Sequence, residues 1–310
     1  MIVEPPMLSV IIPIFNEAAS LDELHKRLTS VLENTGRSYE ILFVDDGSRD
    51  GSMDVLRLLH ARDPKVRVVR FNRNYGQHAA VLAGMERARG KVIVTLDGDL
   101  QNPPEEIPLL LERIEAGHDV VGGWRVSRRD SLIRRCISAA VNRMISATVG
   151  IRMRDYGCML RAYRREVVEQ ILGCQERSTF VPALANLFAA SVAEVAVKHE
   201  TRHHGRSHYG LFRLLRLNYD LMTGFSLLPI QAVSFAGIGI ALLGFGFGIF
   251  LGIRRLLIGP EVEGVFTLFA ILFFFVGLQI FALGLIGEYV ARIYQEVRRR
   301  PRYVVAELLE

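Results

Sequence analysis

Cysteine is scarce in this chain of 310 residues. There are only three, Cys136, Cys158 and Cys174, and no two of them form a CxxC pair. This scarcity excludes a small domain held together by disulfides and fits a reducing compartment. The first residues, MIVEPP, also lack the basic and apolar segments of a cleavable signal peptide. We therefore expect the N-terminal part to remain in the cytoplasm.

Charged residues are absent from two long segments near the C-terminus. No Asp, Glu, Lys, Arg or His occurs in the 33 residues of 221–253 or in the 24 residues of 264–287. A helix that crosses a bilayer needs about 20 apolar residues, so both segments are long enough. The predicted organisation is a soluble domain at 1–208, an interfacial amphipathic helix at 209–226, transmembrane helices at 227–254 and 264–288, and a basic C-terminal tail at 289–310.

The charges are unevenly distributed along the rest of the chain. Residues 1–124 carry a net charge of −5, whereas residues 125–220 carry +9. A basic segment directly before membrane helices predicts an anionic partner at the bilayer surface, either lipid or phosphate. Nucleic acid is the competing interpretation of a basic protein. The acidic first part and the apolar segments argue against it.

The orientation in the membrane follows from the arginines after the second apolar segment. The tail carries Arg292, Arg298, Arg299, Arg300 and Arg302. Positively charged segments remain on the cytoplasmic side, and an even number of spans returns both termini to one side. We therefore expect a multi-pass membrane protein with its soluble domain and both termini in the cytoplasm.

Apolar runs alternate with helical patterns through the first 120 residues. The runs LSVIIPI, YEILFV, VRVVRF and KVIVTL are typical of strands, and segments of 10–15 residues with helical periodicity separate them. This alternation predicts an α/β fold with a parallel sheet, in which ligands bind beyond the carboxyl ends of the strands. Polar clusters containing Glu17, Asp46 and Asp97 follow three of these runs.

The sequence Asp97-Gly98-Asp99 indicates a divalent cation site. Two carboxylates close together at a strand end, with Gln101 nearby, match the oxygen ligands of Mg²⁺ or Mn²⁺ when phosphates supply the other ligands. A solvated turn is the alternative interpretation. For Asp46 the alternatives are a helix cap and a carboxylate that accepts hydrogen bonds from a nucleotide.

The basic part offers several candidate contacts for an anion. Arg125 follows a predicted strand, Arg134 and Ser138 lie one helical turn apart, and Arg202 and Ser207 flank Gly205. The arginine fork suits bidentate binding of phosphate. Each of these residues, taken alone, also fits a solvated surface. Together, next to a membrane, they predict a lipid phosphate site.

The motifs and their order resemble the family 2 glycosyltransferases of the GT-A fold that charge polyprenyl phosphates. The resemblance covers almost the whole chain and is closest to the branch that transfers 4-deoxy-4-formamido-L-arabinose. It rests on residues 72–79 (NRNYGQHA), 96–108 (LDGDLQNPPEEIP), 155–165 (DYGCMLRAYRR), 176–180 (ERSTF) and 287–304 (GEYVARIYQEVRRRPRYV). It implies a GT-A domain, which is a Rossmann-like nucleotide-diphospho-sugar transferase, followed by interfacial helices and a two-helix transmembrane hairpin.

The resemblance also implies roles for individual residues. Uridine would contact Pro13, Glu17 and Asp46, and Gln77 would join the donor site. Asp97, Asp99 and Gln101 would hold Mg²⁺ or Mn²⁺ and the donor diphosphate. The lipid phosphate would meet Arg125, Arg134, Ser138, Arg202 and Ser207, and Asp155 would be a base or would orient the sugar. His208 departs from the family, which more usually has lysine there.

The implied activity is inverting, metal-dependent transfer of a sugar from a UDP-sugar to undecaprenyl phosphate at the cytoplasmic face of the bacterial inner membrane, for lipid A modification and polymyxin resistance. A homo-oligomer, a tetramer in related enzymes, is expected. One alternative is a polyprenyl-phosphate glucose, mannose or other hexose synthase. Another is a membrane-tethered sensor of nucleotide or lipid phosphate without catalysis. A processive polysaccharide synthase fits less well, because the chain has no QxxRW motif.

Overall fold

Runs of β-branched and apolar residues form the centre of a mixed eight-stranded sheet. The structure is a computed structural model that describes residues 5–125, 153–174, 180–200, 228–259, 265–298 and 300–310. The strands are β1 (Leu8–Ile14), β2 (Tyr39–Asp45), β3 (Val66–Phe71), β4 (Val92–Thr95), β5 (Val120–Arg125), β6 (Arg161–Arg164), β7 (Val192–Val197) and β8 (Val305–Leu309).

Helices connect the strands and cover the sheet. They are α1 (Leu21–Asn34), α2 (Ser52–Arg62), α3 (Gln77–Arg87), α4 (Ile107–Glu115), which follows a 3₁₀ turn at Pro104–Glu106, α5 (Arg165–Gly173) and α6 (Val181–Phe188). Helix α1 illustrates why they pack. Its leucines recur every three or four residues, so one face is buried while charged residues occupy the other.

The strand order is β7-β5-β6-β4-β1-β2-β3-β8. Within the group β1 to β4, every pair of neighbouring strands is parallel, as the alternation of strands and helices predicts. The sheet differs from a purely parallel one at two places, because β6 lies antiparallel between β4 and β5, and β8 lies antiparallel along β3. The carboxyl ends of β1, β2, β4 and β5 still meet at one edge.

Residues 1–210 and 300–310 form one compact unit, and residues 211–299 form a second. The second unit contains helices α7 (Leu228–Ile258) and α8 (Val265–Val297). Segments Ile230–Phe247 and Ile271–Val297 are apolar enough to cross a membrane, with mean hydropathies of 1.8 and 2.1. Large apolar side chains along both helices are exposed, including Leu243 and Phe273. Their surfaces therefore suit a lipid environment.

The end of the chain departs from the expected tail. Helix α8 continues to Val297, and residues 305–309 then join the sheet of the first unit as β8. The predicted interfacial helix at 209–226 lies outside the described residues, as do Arg134, Ser138, Arg202 and Ser207.

Candidate active site

Asp97 and Asp99 lie in a tight turn directly after β4. Leu100, the next residue, has a φ of +62° although it is not glycine, and its side chain is buried. The backbone N–H of Gln101 donates to Asp99 Oδ1 at 3.1 Å. Left-handed backbone at a non-glycine residue is costly and tends to occur at functional sites. The buried leucine anchors the turn, and this hydrogen bond holds the carboxylate of Asp99 at the carboxyl edge of the sheet.

Two side-chain amides bind the carboxylate of Asp97. Gln77 Nε2 donates to Oδ1 at 2.6 Å, and Asn102 Nδ2 donates to Oδ2 at 2.8 Å. Burial, followed by the charge of Asp99, raises the pKa of Asp97 to about 7, although both amides favour the ionised form. A cation between the carboxylates would relieve this repulsion.

The donor set fits Mg²⁺ or Mn²⁺ shared with a phosphate ligand. Among the residues that the structure describes, no group of three or more His, Cys, Asp and Glu side chains could hold a metal ion. A magnesium ion usually takes one or two protein carboxylates and obtains its other ligands from substrate phosphates and water. Asp97 and Asp99, with the amide oxygen of Gln101, match that requirement.

Arg125 and Asp155 form a bidentate ion pair. Arg125, the last residue of β5, donates from Nε to Asp155 Oδ2 at 2.7 Å and from Nη2 to Oδ1 at 3.0 Å. Asp155 is 4% exposed, and its Oδ1 also accepts the backbone N–H of Gly157 at 3.0 Å. Arg125 was predicted to contact the lipid phosphate, and Asp155 to be a base or to orient the sugar. The two residues are direct partners in this structure.

A fully buried arginine supports the loop that carries Asp155. Arg161 donates from Nε to the carbonyl of Cys158 at 2.8 Å and from Nη2 to the carbonyl of Asp155 at 2.9 Å. Its Nη1 lies 3.4 Å from the sulfur of Met153. Buried charges are tolerated where hydrogen bonds satisfy them. Arg161 thus fixes the backbone of this loop.

Asp46 fastens the loop that follows β3. Its Oδ1 accepts the backbone N–H of Tyr75 at 2.6 Å, and its Oδ2 accepts that of Gly76 at 2.9 Å. Burial raises the pKa of Asp46, and these two hydrogen bonds oppose that rise. The carboxylate predicted to contact uridine is therefore already bound to the neighbouring loop. The next residue, Gly47, has a φ of +72°.

Pro13 and Glu17 lie at the end of β1 and just after it. The backbone N–H of Glu17 donates to Ser52 Oγ at 3.1 Å, and that of Asn16 donates to Ser48 Oγ at 2.9 Å. These bonds tie the loop after β1 to the loop after β2 and to the first residue of α2. The structure thus gathers the described site residues at one edge of the sheet: Pro13, Glu17, Asp46, Gln77, Asp97, Asp99, Gln101, Arg125 and Asp155.

The sequence patterns did not identify two residues that support the site, Asn102 and Arg161. Asn102 lies three residues after Asp99, and an amide side chain so close to the two aspartates could have been predicted to contact one of them. Arg161 lies within the motif at 155–165, but the pattern there does not predict its role. That role depends on its burial beneath the loop that carries Asp155. A further contact concerns the segment after β7, in which the backbone N–H of Glu200 donates to the carbonyl of Gln101 at 2.9 Å. Residues 201–208, with the predicted anion contacts, follow this point in the chain.

The sequence of this chain is also similar to the sequences of known proteins. Residues 9–172 match the family described as glycosyl transferase family 2. The chain is 51% identical over 305 residues to an undecaprenyl-phosphate 4-deoxy-4-formamido-L-arabinose transferase of Edwardsiella ictaluri, covering 97% of this chain and 94% of that protein. A protein of the same description from Klebsiella pneumoniae is 49% identical over 314 residues, covering 100% and 96%.

The fold is also similar to solved structures. One is glucosyl-3-phosphoglycerate synthase from Mycobacterium tuberculosis in complex with Mn²⁺, UDP and phosphoglyceric acid. It has a TM-score of 0.50 and 16% identity over 71% of this chain and 77% of that chain. Mannosyl-3-phosphoglycerate synthase from Rubrobacter xylanophilus has a TM-score of 0.50 and 14% identity over 71% and 72%. At these identities the likeness establishes the fold only.

Proposed function

The chain belongs to glycosyl transferase family 2 and is a glycosyltransferase, and we propose that it transfers 4-deoxy-4-formamido-L-arabinose from a UDP-sugar to undecaprenyl phosphate. The observation that carries the proposal is the placement of Asp97 and Asp99 just after β4, where the amides of Gln77 and Asn102 bind the carboxylate of Asp97. The identity of about half the residues to transferases of that description supports this choice of sugar and acceptor.

Asp97, Asp99 and Gln101 are the residues that would hold Mg²⁺ or Mn²⁺. When bound, such an ion neutralises charge that develops on a leaving diphosphate. The residues of the chain prepare the site, since Gln77 and Asn102 orient the carboxylate of Asp97. A manganese ion and UDP also occur together in the M. tuberculosis synthase of similar fold.

The acceptor needs little activation. A phosphate monoester has a second pKa of about 6 and is largely dianionic at neutral pH, so its oxygen is already nucleophilic. Attack on the anomeric carbon opposite the leaving diphosphate forms the new C–O bond as the old one breaks, and inverts the configuration. The enzyme must then stabilise negative charge. We assign this task to Arg125, held by Asp155, and to Arg134, Ser138, Arg202 and Ser207.

The membrane arrangement proposed is a two-helix hairpin in the bacterial inner membrane with both termini in the cytoplasm. Strands β1 and β8 belong to the same sheet, which supports placing both ends of the chain on the same side of a bilayer. Helices α7 and α8, between them in sequence, would then cross an even number of times. This arrangement would bring the transferase to its lipid acceptor for lipid A modification, and hence polymyxin resistance.

The experiment that tests the proposal measures sugar transfer by the purified protein. It is offered a panel of UDP-sugars with undecaprenyl phosphate, with and without Mn²⁺, and the glycolipid is identified by mass spectrometry. We expect the formamido-arabinose lipid from wild type and from the surface control Asp22→Asn, and none from Asp99→Asn. A glucose or mannose lipid instead would identify a hexose synthase. Binding of nucleotide without any transfer would indicate a sensor.

A further inference from the structure

The C-terminal segment, residues 302–310, extends the sheet beside the loop that follows β3. Strand β8 pairs antiparallel with β3, so that Val69 lies opposite Leu308 and Phe71 lies opposite Val305. The pairing continues past the end of β3, because the backbone N–H of Asn72 donates to the carbonyl of Val304 at 3.1 Å. The residues from the end of β3 to Gln77, the first residue of α3, are called the 72–77 loop. The C-terminal segment therefore holds the first residue of this loop as well as the strand before it.

Aromatic contacts continue from the C-terminal segment into this loop. The ring of Tyr303 stacks on Phe71 with centroids 4.7 Å apart and an interplanar angle of 18°. Phe71 in turn meets Tyr75 edge to face at 5.7 Å. The hydroxyl of Tyr303 donates to the carboxylate of Glu86 and accepts from Arg87 Nη1 at 3.3 Å. Tyr303 is thus fixed between the end of β3 and the last turn of α3.

Ion pairs join β8 and the residue after it to α2 and β3. Arg57 donates from Nε to Glu307 Oε1 at 3.1 Å and from Nη2 to Oε2 at 2.7 Å. Arg70 lies 3.8 Å from the same carboxylate, and Arg67 pairs with Glu310. Single ion pairs at a surface contribute little, but a bidentate geometry and a shared network contribute more.

The 72–77 loop supplies three of the hydrogen bonds that organise the candidate site. Tyr75 and Gly76 donate their backbone N–H groups to Asp46, and Gln77 donates to Asp97. Arg302 lines a cavity of about 270 Å³ together with Tyr75, Gly76 and Gln77, and it also donates to the carbonyl of Cys174. The same short loop therefore contacts the C-terminal segment on one side and the site carboxylates on the other.

We propose that the C-terminal segment is a positioning element of the donor site, with Tyr303 as its central residue. It fixes the 72–77 loop before the donor arrives, so that binding does not have to order that loop. The proposal rests on the proposed function in one respect, the use of a UDP-sugar. It makes the last residues of the chain, which follow the second apolar helix in sequence, part of the machinery that binds the nucleotide.

The first experiment replaces Tyr303 in the full-length chain. Tyr303→Ala removes the stack on Phe71, and we expect UDP affinity in the presence of Mn²⁺ to fall about five- to tenfold. The KM for the UDP-sugar should rise by a similar factor, and the KM for undecaprenyl phosphate should stay within about twofold. Tyr303→Phe keeps the stack but loses the hydrogen bonds to Glu86 and Arg87, so it should weaken UDP binding less than Tyr303→Ala does.

The second experiment exchanges charges across β8. Glu307→Arg places a third guanidinium beside Arg57 and Arg70 and should weaken UDP binding, as should Arg57→Glu. The double exchange Arg57→Glu with Glu307→Arg should restore part of the affinity, since opposite charges face each other again. Restoration is partial because Arg70 and Asp54 then meet like charges. The matched control is the ion pair of Arg37 with Glu115, remote from the 72–77 loop, whose single and double exchanges should leave UDP affinity unchanged.

Several results would overturn the proposal. One is a Tyr303→Ala variant that binds UDP as tightly as wild type. Another is an equal change in both KM values together with a lower Tm, which would mean a general structural role. A third is failure of the double exchange to restore binding. If wild type makes no glycolipid but binds UDP, the proposed function fails while the UDP affinities still decide this inference. Absence of UDP binding to wild type would overturn both.

Discussion

Arg125 Nε and Asp155 Oδ2 lie 2.7 Å apart, and the second contact of the same pair measures 3.0 Å. A carboxylate that accepts two charge-assisted hydrogen bonds from one guanidinium is held in a fixed orientation. Both oxygens of Asp155 are engaged in these bonds, which leaves the carboxylate less capacity to accept a proton from a substrate. This geometry supports a positioning role for Asp155, in which it orients Arg125 toward the reacting anions.

Replacing Asp155 with asparagine separates positioning from base catalysis. The amide in Asp155→Asn keeps the shape of the side chain but loses the charge that orients Arg125, so we expect kcat to fall about 10- to 100-fold. The shape of the kcat–pH profile should stay that of wild type, because the nucleophile is the phosphate itself. The measurement is turnover of both proteins between about pH 6 and pH 9. Loss of the acidic limb in the variant would instead identify Asp155 as the base.

The raised pKa of Asp97 predicts pH-dependent binding of the cation. Proton and metal compete for the same carboxylate, so affinity for Mn²⁺ should increase as the pH rises toward 7 and level off above it. One pH unit below the pKa, affinity should be about tenfold lower. Calorimetry at several pH values, in buffers of different ionisation enthalpy, measures both the affinity and the proton released. An affinity that is flat between about pH 5.5 and pH 8 would contradict the assignment.

Replacing Asp99 with asparagine tests whether Asp99 is a ligand of the metal ion. Asp99→Asn removes the like charge beside Asp97, which lowers the pKa of Asp97, and also removes one metal ligand. Metal-dependent turnover should therefore be lost. Release of UDP in the presence of Mn²⁺ measures that turnover, and a rate close to that of wild type would exclude Asp99 as a ligand.

Asn102→Ala removes the hydrogen bond to Asp97 Oδ2, which is 2.8 Å long and comes from a buried side chain. Because that bond favours the ionised carboxylate, its loss should raise the pKa of Asp97 further and shift the midpoint of Mn²⁺ binding to higher pH. The surface variant Asn34→Ala is the control. A midpoint that does not move in Asn102→Ala would mean that Asn102 does not stabilise the charge of Asp97.

Local patterns predicted the centre of the fold well. The run LSVIIPI indicated the bounds of β1 directly, and the α/β class and the family are confirmed. Strand β8 was missed because VAELL carries a weak pattern after a membrane helix, and only its partner β3 makes it a strand. Strand β6 was missed for a similar reason, since its place between β4 and β5 is set by contacts distant in sequence.

Contacts between residues distant in sequence were missed in the candidate site as well. The aspartate turn was found because its residues are adjacent in sequence and follow an apolar strand. The partnership of Arg125 with Asp155 spans 30 residues, and no local pattern reveals which distant side chains will face each other. The hydrogen bonds from the 72–77 loop to Asp46 depend equally on the packing of neighbouring strand ends. Local spacing thus identified the groups, and tertiary packing decided their partners.

Gly47 offers a test of how closely the loops of the site must approach each other. It has a φ of +72°, and a Cβ atom there would lie 2.6 Å from the carbonyl carbon of Arg73. Gly47→Ala must therefore displace the loop whose next residues bind Asp46. We expect about 2 kcal/mol of lost stability from the left-handed backbone and the clash, together with weaker binding of UDP.

Gly51 is the matched control for Gly47, because its φ is +90° but no atom lies within 4 Å of the position of a Cβ. Gly51→Ala shares the backbone strain without the clash, so it should lower stability by about 1 kcal/mol and leave UDP affinity unchanged. Thermal unfolding and calorimetric titration of the two variants measure both effects. Equal loss of UDP affinity in the two variants would show that backbone strain alone disturbs the site, and that the contact between the two loops has no separate role.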